Sequence, residues 1–146
     1  MKTFKGRNIT AGNFKGEAVV THTGMNTLAS YQMSFMPGAK SAVVGDQNNP
    51  ELFKQNVTGK IVCLPKTIGS TTGGMVIQAM CNLKLNPAAY LFSEDIDSLA
   101  ASGMILAKVW EDNYIVCIDR LGNEFLDAVK TGDTLEIKED GTVTIL

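Results

Sequence analysis

This chain of 146 residues has few of the residue types from which catalytic and metal centres are usually built. It contains one histidine, His22, so a Ser-His-Asp relay or an imidazole-based zinc site would hang on that residue alone. His22 follows an apparent strand with no ligand pattern nearby and reads as incidental. The three cysteines, Cys63, Cys81 and Cys117, are odd in number and widely spaced, with no Cys-x-x-Cys. That argues against a disulfide framework and makes a cytoplasmic location the default expectation. An iron–sulfur centre needs several thiolates together. Here Cys63 and Cys117 fall in apparent strands and Cys81 in a helix, so all three read as small buried hydrophobes.

Other absences narrow the field further. No apolar run approaches the ~20 residues needed to span a bilayer, so no membrane segment is expected. Residues 1–7 carry charge with no apolar core behind it, unlike a signal peptide. Thirteen basic and fifteen acidic residues give a net charge of −2, and no Lys/Arg cluster breaks the balance. A nucleic-acid footprint is therefore absent. What remains, 45% hydrophobic and 19% charged, is the composition of an ordinary globular protein. At this length the expectation is one domain over residues 1–146.

The patterning places β segments at both ends of the chain. Strands are predicted over residues 16–21, 30–35 and 42–44, before a turn at Asp46-Gln-Asn-Asn-Pro50. A buried strand at 60–64 then leads through Pro65 into a polar, glycine-rich loop. After it, Val76, Ala79, Met80 and Leu83 recur at i, i+3, i+4, i+7, which predicts a helix over 71–83. A strand at 88–92, a short helix at 96–101 ended by Gly103, and a strand at 104–109 continue the alternation. Such alternation predicts right-handed βαβ units and a parallel sheet. Residues 114–118 read as another strand and 123–130 as a possible helical turn. Residues 132–138 and 141–146 alternate apolar with polar around Glu139-Asp140-Gly141, as a hairpin does. The fold class expected is α/β, with a central parallel βαβα core and a barrel-like β layer.

The loop Lys66-Thr-Ile-Gly69-Ser70-Thr71-Thr72-Gly73-Gly74 is the most informative stretch. Ser70, Thr71 and Thr72 fall at or beside a helix N-terminus, where free backbone N–H groups favour an anion or a developing oxyanion. Gly69, Gly73 and Gly74 leave room for close backbone approach. The same serine and threonines would equally serve as ordinary N-caps. The loop is no Walker motif, because Lys66 precedes the glycines instead of following them, and it lacks the Gly-x-Gly-x-x-Gly order of a dinucleotide site.

The order of features resembles the small subunit of aconitase X-type dehydratases, the swivelling-domain members of the aconitase superfamily. Four segments carry the likeness, between about residues 16 and 143. They are Ser34-Phe35 with Gly38, Asp46 and Pro50 with Gly59-Lys60-Ile61, Gly69-Ser70-Thr71-Thr72-Gly73, and Asn86-Pro87-Ala88-Ala89 with Ser102-Gly103-Met104-Ile105-Leu106-Ala107. The resemblance implies a swivelling β/β/α domain and a dehydratase reaction completed only with a large subunit that holds the iron–sulfur cluster. This chain itself would bind no cofactor. The implied substrates are small hydroxy acids, phosphomevalonate-like or hydroxyproline-like. Ser70 falls on the family's catalytic serine, acting as an alkoxide-like base, with Lys66, Gly69, Thr71, Thr72, Gly73 and Ser34 as substrate-binding positions.

Departures from the family pattern are concentrated at the site. Ile68 stands in place of an arginine, Asn49 in place of a histidine and Gly74 in place of a serine. Met36, Pro37, Ala39 and Lys40 replace most of a Trp-Gly-Gly-Val-Asp block. A non-catalytic binding or regulatory domain of the same fold is the alternative these changes suggest. A phosphohistidine carrier would need a histidine near residues 66–74, and there is none.

Overall fold

The computed structural model describes every residue except 70–72 and 112. Strands β1 (Lys2–Lys5), β2 (Arg7–Thr10) and β3 (Phe14–Val20) open the chain. The short β4 (Met25–Asn26) leads into helix α1 (Thr27–Tyr31) and a 3-10 turn, Gln32–Phe35. Then follow β5 (Ile61–Leu64), β6 (Thr67–Ile68), α2 (Gly73–Asn82), β7 (Ala89–Phe92) and α3 (Ser98–Trp110). The chain closes with β8 (Val116–Asp119), α4 (Asn123–Ala128), β9 (Thr134–Ile137) and β10 (Thr142–Ile145).

One sheet of eight strands runs in the order β1-β10-β9-β3-β5-β7-β8-β2. The central strands β3, β5, β7 and β8 are mutually parallel, with Val19 opposite Val62 and Val62 opposite Tyr90. The remaining pairings are antiparallel. The two edge strands, β1 and β2, are consecutive in sequence and separated only by Gly6, so the sheet curls into a nearly closed barrel. At that corner Gly6 N–H donates to the Gly141 carbonyl (3.1 Å), and a Cβ on Gly6 would overlap the Asp119 carbonyl oxygen. Arg7, the next residue, fixes the join. Its Nε and Nη2 donate to the two Asp119 carboxylate oxygens at 2.9 and 2.6 Å. Asp119 is fully buried, and its Oδ2 also accepts from Ile96 N–H (2.9 Å). A buried carboxylate persists when its oxygens are satisfied in this way.

Strand alternation divides the core into two layers. Val19, Val62, Leu64, Tyr90, Phe92 and Cys117 face α1, α2 and α3. Ala18, Val20, Ile61, Cys63, Leu91 and Ile118 face the barrel interior with α4, β9 and β10. The Tyr31 and Tyr90 hydroxyls bond to each other in the first layer, where burial pushes both phenols upward.

The parallel βαβ core, the barrel-like layer, the hairpin and the helical turn at 123–128 agree with the sequence pattern, while several elements differ. Residues 30–35 are helical, not a strand. Asn26 caps α1 by accepting Ala29 N–H (3.1 Å), and Thr27, Ser30, Tyr31 and Ser34 are buried at i, i+3, i+4, i+7 spacing. Residues 42–44 contribute only an isolated bridge, Val43 to Asn56. The predicted helix at 96–101 and strand at 104–109 are one helix, α3, so the next strand of the parallel set is β8. Asp97 caps α3 by accepting Ala100 N–H (2.9 Å), and Ala100, Gly103, Met104 and Ala107 form its buried stripe. Helix α2 is rotated from its predicted phase: Val76, Ile77, Met80 and Cys81 are buried, whereas Leu83 is exposed.

Gly103 is therefore a contact and not a helix stop. A Cβ there would overlap the Gly74 carbonyl oxygen, and a Cβ on Gly74 would overlap the Leu99 carbonyl oxygen. The two helices meet backbone to backbone. Ala is favoured over Gly in a helix interior by about 1 kcal/mol, but overpacking costs about 1–3 kcal/mol. Gly103→Ala should therefore lower stability in urea denaturation, while Ser102→Ala on the exposed side should be near neutral. Equal stability of Gly103→Ala and wild type would contradict the close crossing.

Candidate active site

Polypeptide leaving the C-terminal ends of parallel strands forms the usual ligand edge of an α/β sheet. Here that edge holds the segments after β3, β5, β7 and β8. Pro65 is buried at the end of β5, and Lys66 beyond it is exposed. The chain then adds a short parallel ladder, with Met25 opposite Thr67 and Asn26 opposite Ile68. Met25 N–H donates to the Lys66 carbonyl (2.9 Å), which ties this segment to the start of α1.

Glycines then admit the neighbouring elements. Gly69 has φ +101°, and a Cβ on it would lie 2.6 Å from Asn26 Nδ2, in the side chain that caps α1. Gly73, the first residue of α2, would place a Cβ 3.2 Å from Thr27 Oγ1. On the other flank Thr67 Oγ1 donates to Asp97, the cap of α3. The N-terminal ends of α1, α2 and α3 thus border one cleft of about 70 Å³, lined among others by Thr27, Thr67, Ile68, Gly73, Asp97 and Leu99. Backbone N–H groups at helix starts carry partial positive charge, which suits an anion or developing oxyanion. The Asp97 carboxylate sits at the α3 end of the cleft and offsets part of that field there.

The predicted site residues separate into three groups. Gly69 and Gly73 line the cleft, and Lys66 lies beside it with an exposed side chain. Ser70, Thr71 and Thr72 lie outside the described residues. Ser34 is not among the residues lining the cleft. It is buried in the 3-10 turn beyond α1, and its hydroxyl has no partner among the described residues. Thr27, Thr67 and Asp97 line the cleft and escaped sequence reasoning. The one available signal was Asp97 immediately before a helix, an N-cap pattern. Ile68 is 49% exposed at the rim, and its side chain fills the space a Cβ on Gly24 would need.

A second polar cluster lies at the end of β3. Asn49 is buried, its Nδ2 donating to Thr21 Oγ1 (3.1 Å) and its Oδ1 accepting from Leu52 N–H (3.1 Å). Its side chain is thus held in structural bonds. His22 pairs at the surface with Glu51. Its Nδ1 lies 2.8 Å from Glu51 Oε2, and its backbone N–H donates to Glu51 Oε1 (2.7 Å).

The cysteines do not fit an iron–sulfur cluster. Cys63 faces the barrel layer, while Cys81 and Cys117 face the helical layer. Burial pushes all three thiols upward, Cys81 to about 12, the opposite of what thiolate ligands require.

The His22–Glu51 pair gives a direct pH test. The Glu51 hydrogen bond raises the His22 pKa against the opposing effect of burial. For Glu51, burial acts upward, but hydrogen bonds from the His22 backbone and ring prevail and hold the carboxylate below its usual range. The histidine's stabilisation is complete below its unfolded value of about 6.5 and is lost as pH rises through the raised folded value. The carboxylate's is present above its unfolded value and is lost as pH falls through the depressed folded one. An NMR titration of His22, the sole histidine, should give a pKa above about 6.5 that returns to the ordinary value in Glu51→Gln. An unshifted His22 in the wild-type protein would contradict the pairing.

Comparison with known proteins identifies the fold and the family together. The aconitase X swivel domain model matches residues 3–145. The chain is 29% identical over 140 residues to the phosphomevalonate dehydratase small subunit of Thermococcus kodakarensis, covering 94% of this chain and 97% of the relative. It is 30% identical over 107 residues to the protein of that name from Pyrococcus furiosus, covering 72% of each. A crystal structure of Thermococcus kodakaraensis aconitase X in its holo form superposes with a TM-score of 0.83 at 26% identity, over 100% of this chain and 99% of that one. The chain belongs to the aconitase X swivel domain family, the family of the phosphomevalonate dehydratase small subunits.

Proposed function

We propose that this chain is the small subunit of a heterodimeric aconitase X-type hydro-lyase and that Ser70 is the catalytic serine it brings to a site shared with a large subunit. The observation that carries the proposal is the cleft at which three helix N-termini meet, bordered by Gly69 and Gly73 on either side of residues 70–72. Family membership supplies the reaction class. In this reading the substrate is a small hydroxy acid, phosphomevalonate-like or hydroxyproline-like, with its acidic C–H directed at Ser70. Ser70 takes that proton as an alkoxide-like base, the C–H electron pair forms the C=C bond, and the neighbouring hydroxyl departs with the C–O pair as hydroxide, which takes the proton back from Ser70 to become water. A serine oxygen is a weak base, and the partial positive charge at the start of α2 stabilises its anionic form. Lys66, exposed beside the cleft, supplies a cation for the substrate carboxylate. The iron–sulfur cluster is assigned to the large subunit, because the thiols of this chain are buried apart from one another.

The alternative is a non-catalytic partner-binding domain of the same fold. Two positions favour it: Ile68 puts an apolar side chain at the rim where the family pattern has a cation, and the Asn49 side chain is taken up by structural hydrogen bonds.

One substitution separates the readings. Ser70→Ala should cost the isolated chain at most about 2 kcal/mol, the range for a lost N-cap, while lowering turnover of the reconstituted complex by about 100-fold or more, the contribution of a general base. Unchanged turnover would make Ser70 a cap and favour the binding-domain reading. Iron and sulfide analysis of proteins purified without oxygen should find a cluster in the complex and none in the isolated chain. Stoichiometric iron in the isolated chain would overturn the assignment of the cluster to the partner.

A further inference from the structure

Helix α3 departs from the pattern of an ordinary surface helix. Its inner stripe, Ala100, Gly103, Met104 and Ala107, is buried. Its outer surface is also largely apolar: Leu99, Ile105, Leu106, Val109 and Trp110 are 41 to 72% exposed. The only charged residue in the helix is Lys108, whose ammonium lies over the Tyr114 ring, 5.2 Å from its centroid. Single exposed apolar side chains are common on protein surfaces, but five on one 13-residue helix mark an interaction face.

We infer that the outer face of α3 is a docking surface for the large subunit, an inference that rests on the subunit reading above. Two observations name the occupant. The chain matches over 94% of its length a relative named as the small subunit of a dehydratase, a protein built with a partner chain. The apolar face is also continuous with the candidate active site. Leu99 lines the cleft beside Gly73, and from there α3 extends roughly 17 Å to Trp110 at 1.5 Å per residue. A subunit that closes over the cleft meets Leu99 first and continues along the helix to Val109 and Trp110. With little charge on the face, the complementary surface is an apolar groove, with Trp110 as the residue type that most often anchors such contacts.

The test uses the double variant Val109→Asp/Trp110→Glu, with Trp110→Ala as a milder second variant, titrated calorimetrically against the aconitase X-type large subunit of the same organism. Both residues are exposed, so thermal unfolding of the isolated chain should be little changed. Affinity for the large subunit should fall about 100-fold or more for the double variant, as expected for loss of interface anchors, and measurably for Trp110→Ala. Lys138→Glu, on the distant hairpin, should bind like wild type. Unchanged affinity in the folded variants overturns the inference while leaving the subunit reading intact. So does a wild-type chain that dimerises alone and loses only that dimer in the variants, because the face then belongs to a second copy. A wild-type chain with no affinity for the large subunit overturns the subunit reading and this inference with it.

Discussion

The crossing of α2 and α3 at Gly74 and Gly103 is the constraint on which the arrangement of the site depends. Neither position has room for a Cβ, since each would drive one into a neighbouring carbonyl. With the backbones in contact, the start of α2 lies beside the start of α3, and the Asp97 cap comes within reach of Thr67. The same closeness brings Gly73 against Thr27 at the start of α1. Small residues here substitute for side-chain interdigitation, and their effect is positional: helix ends that would otherwise be a side chain's width apart border one cleft.

The barrel provides the rigid frame behind that crossing. Gly6 lets the chain pass from one edge strand to the other, and Arg7 locks the passage onto the buried Asp119. Because Asp119 also holds Ile96 N–H, the closure of the barrel is tied to the segment that leads into Asp97 and α3. Packing in both layers, the closure and the helix crossing thus form one connected set. The polar groups at the C-terminal ends of β3 and β5 are carried at the rim of this frame. The catalytic role proposed for the 66–74 loop calls for such support, because small displacements of reacting groups carry large rate penalties.

Much of this was legible in the sequence, for identifiable reasons. The run 60–64 and the turn at Glu139-Asp140-Gly141 each follow from local patterning, and their positions agree with the structure. The misread elements share a cause. Residues 104–109 look like a strand because Met, Ile, Leu, Ala and Val make a continuous apolar run, and periodicity cannot distinguish a buried strand from a helix that is apolar all round. Gly103 reinforced the error, since a glycine within a helical pattern resembles a stop when its packing partner, 29 residues earlier at Gly74, is out of view. Residues 30–35 differ for the complementary reason: a short helix has too few turns to show its period, and its cap, Asn26, lies outside the segment. At the site, the glycine-rich loop could be found from residue types alone. Thr27 could not, and the N-cap pattern at Asp97 marks only a helix start, because both residues reach the cleft through the tertiary crossing.

The most direct measurement is hydrogen–deuterium exchange of the chain, alone and in complex with an aconitase X-type large subunit. If the helix crossing presents the cleft to that partner, amides of residues 66–75 and 97–110 should gain protection in the complex. Those of β9 and β10, which belong to the opposite layer of the core from α3, should exchange as before. Protection confined to β9 and β10, with the cleft and α3 unaffected, would contradict the account.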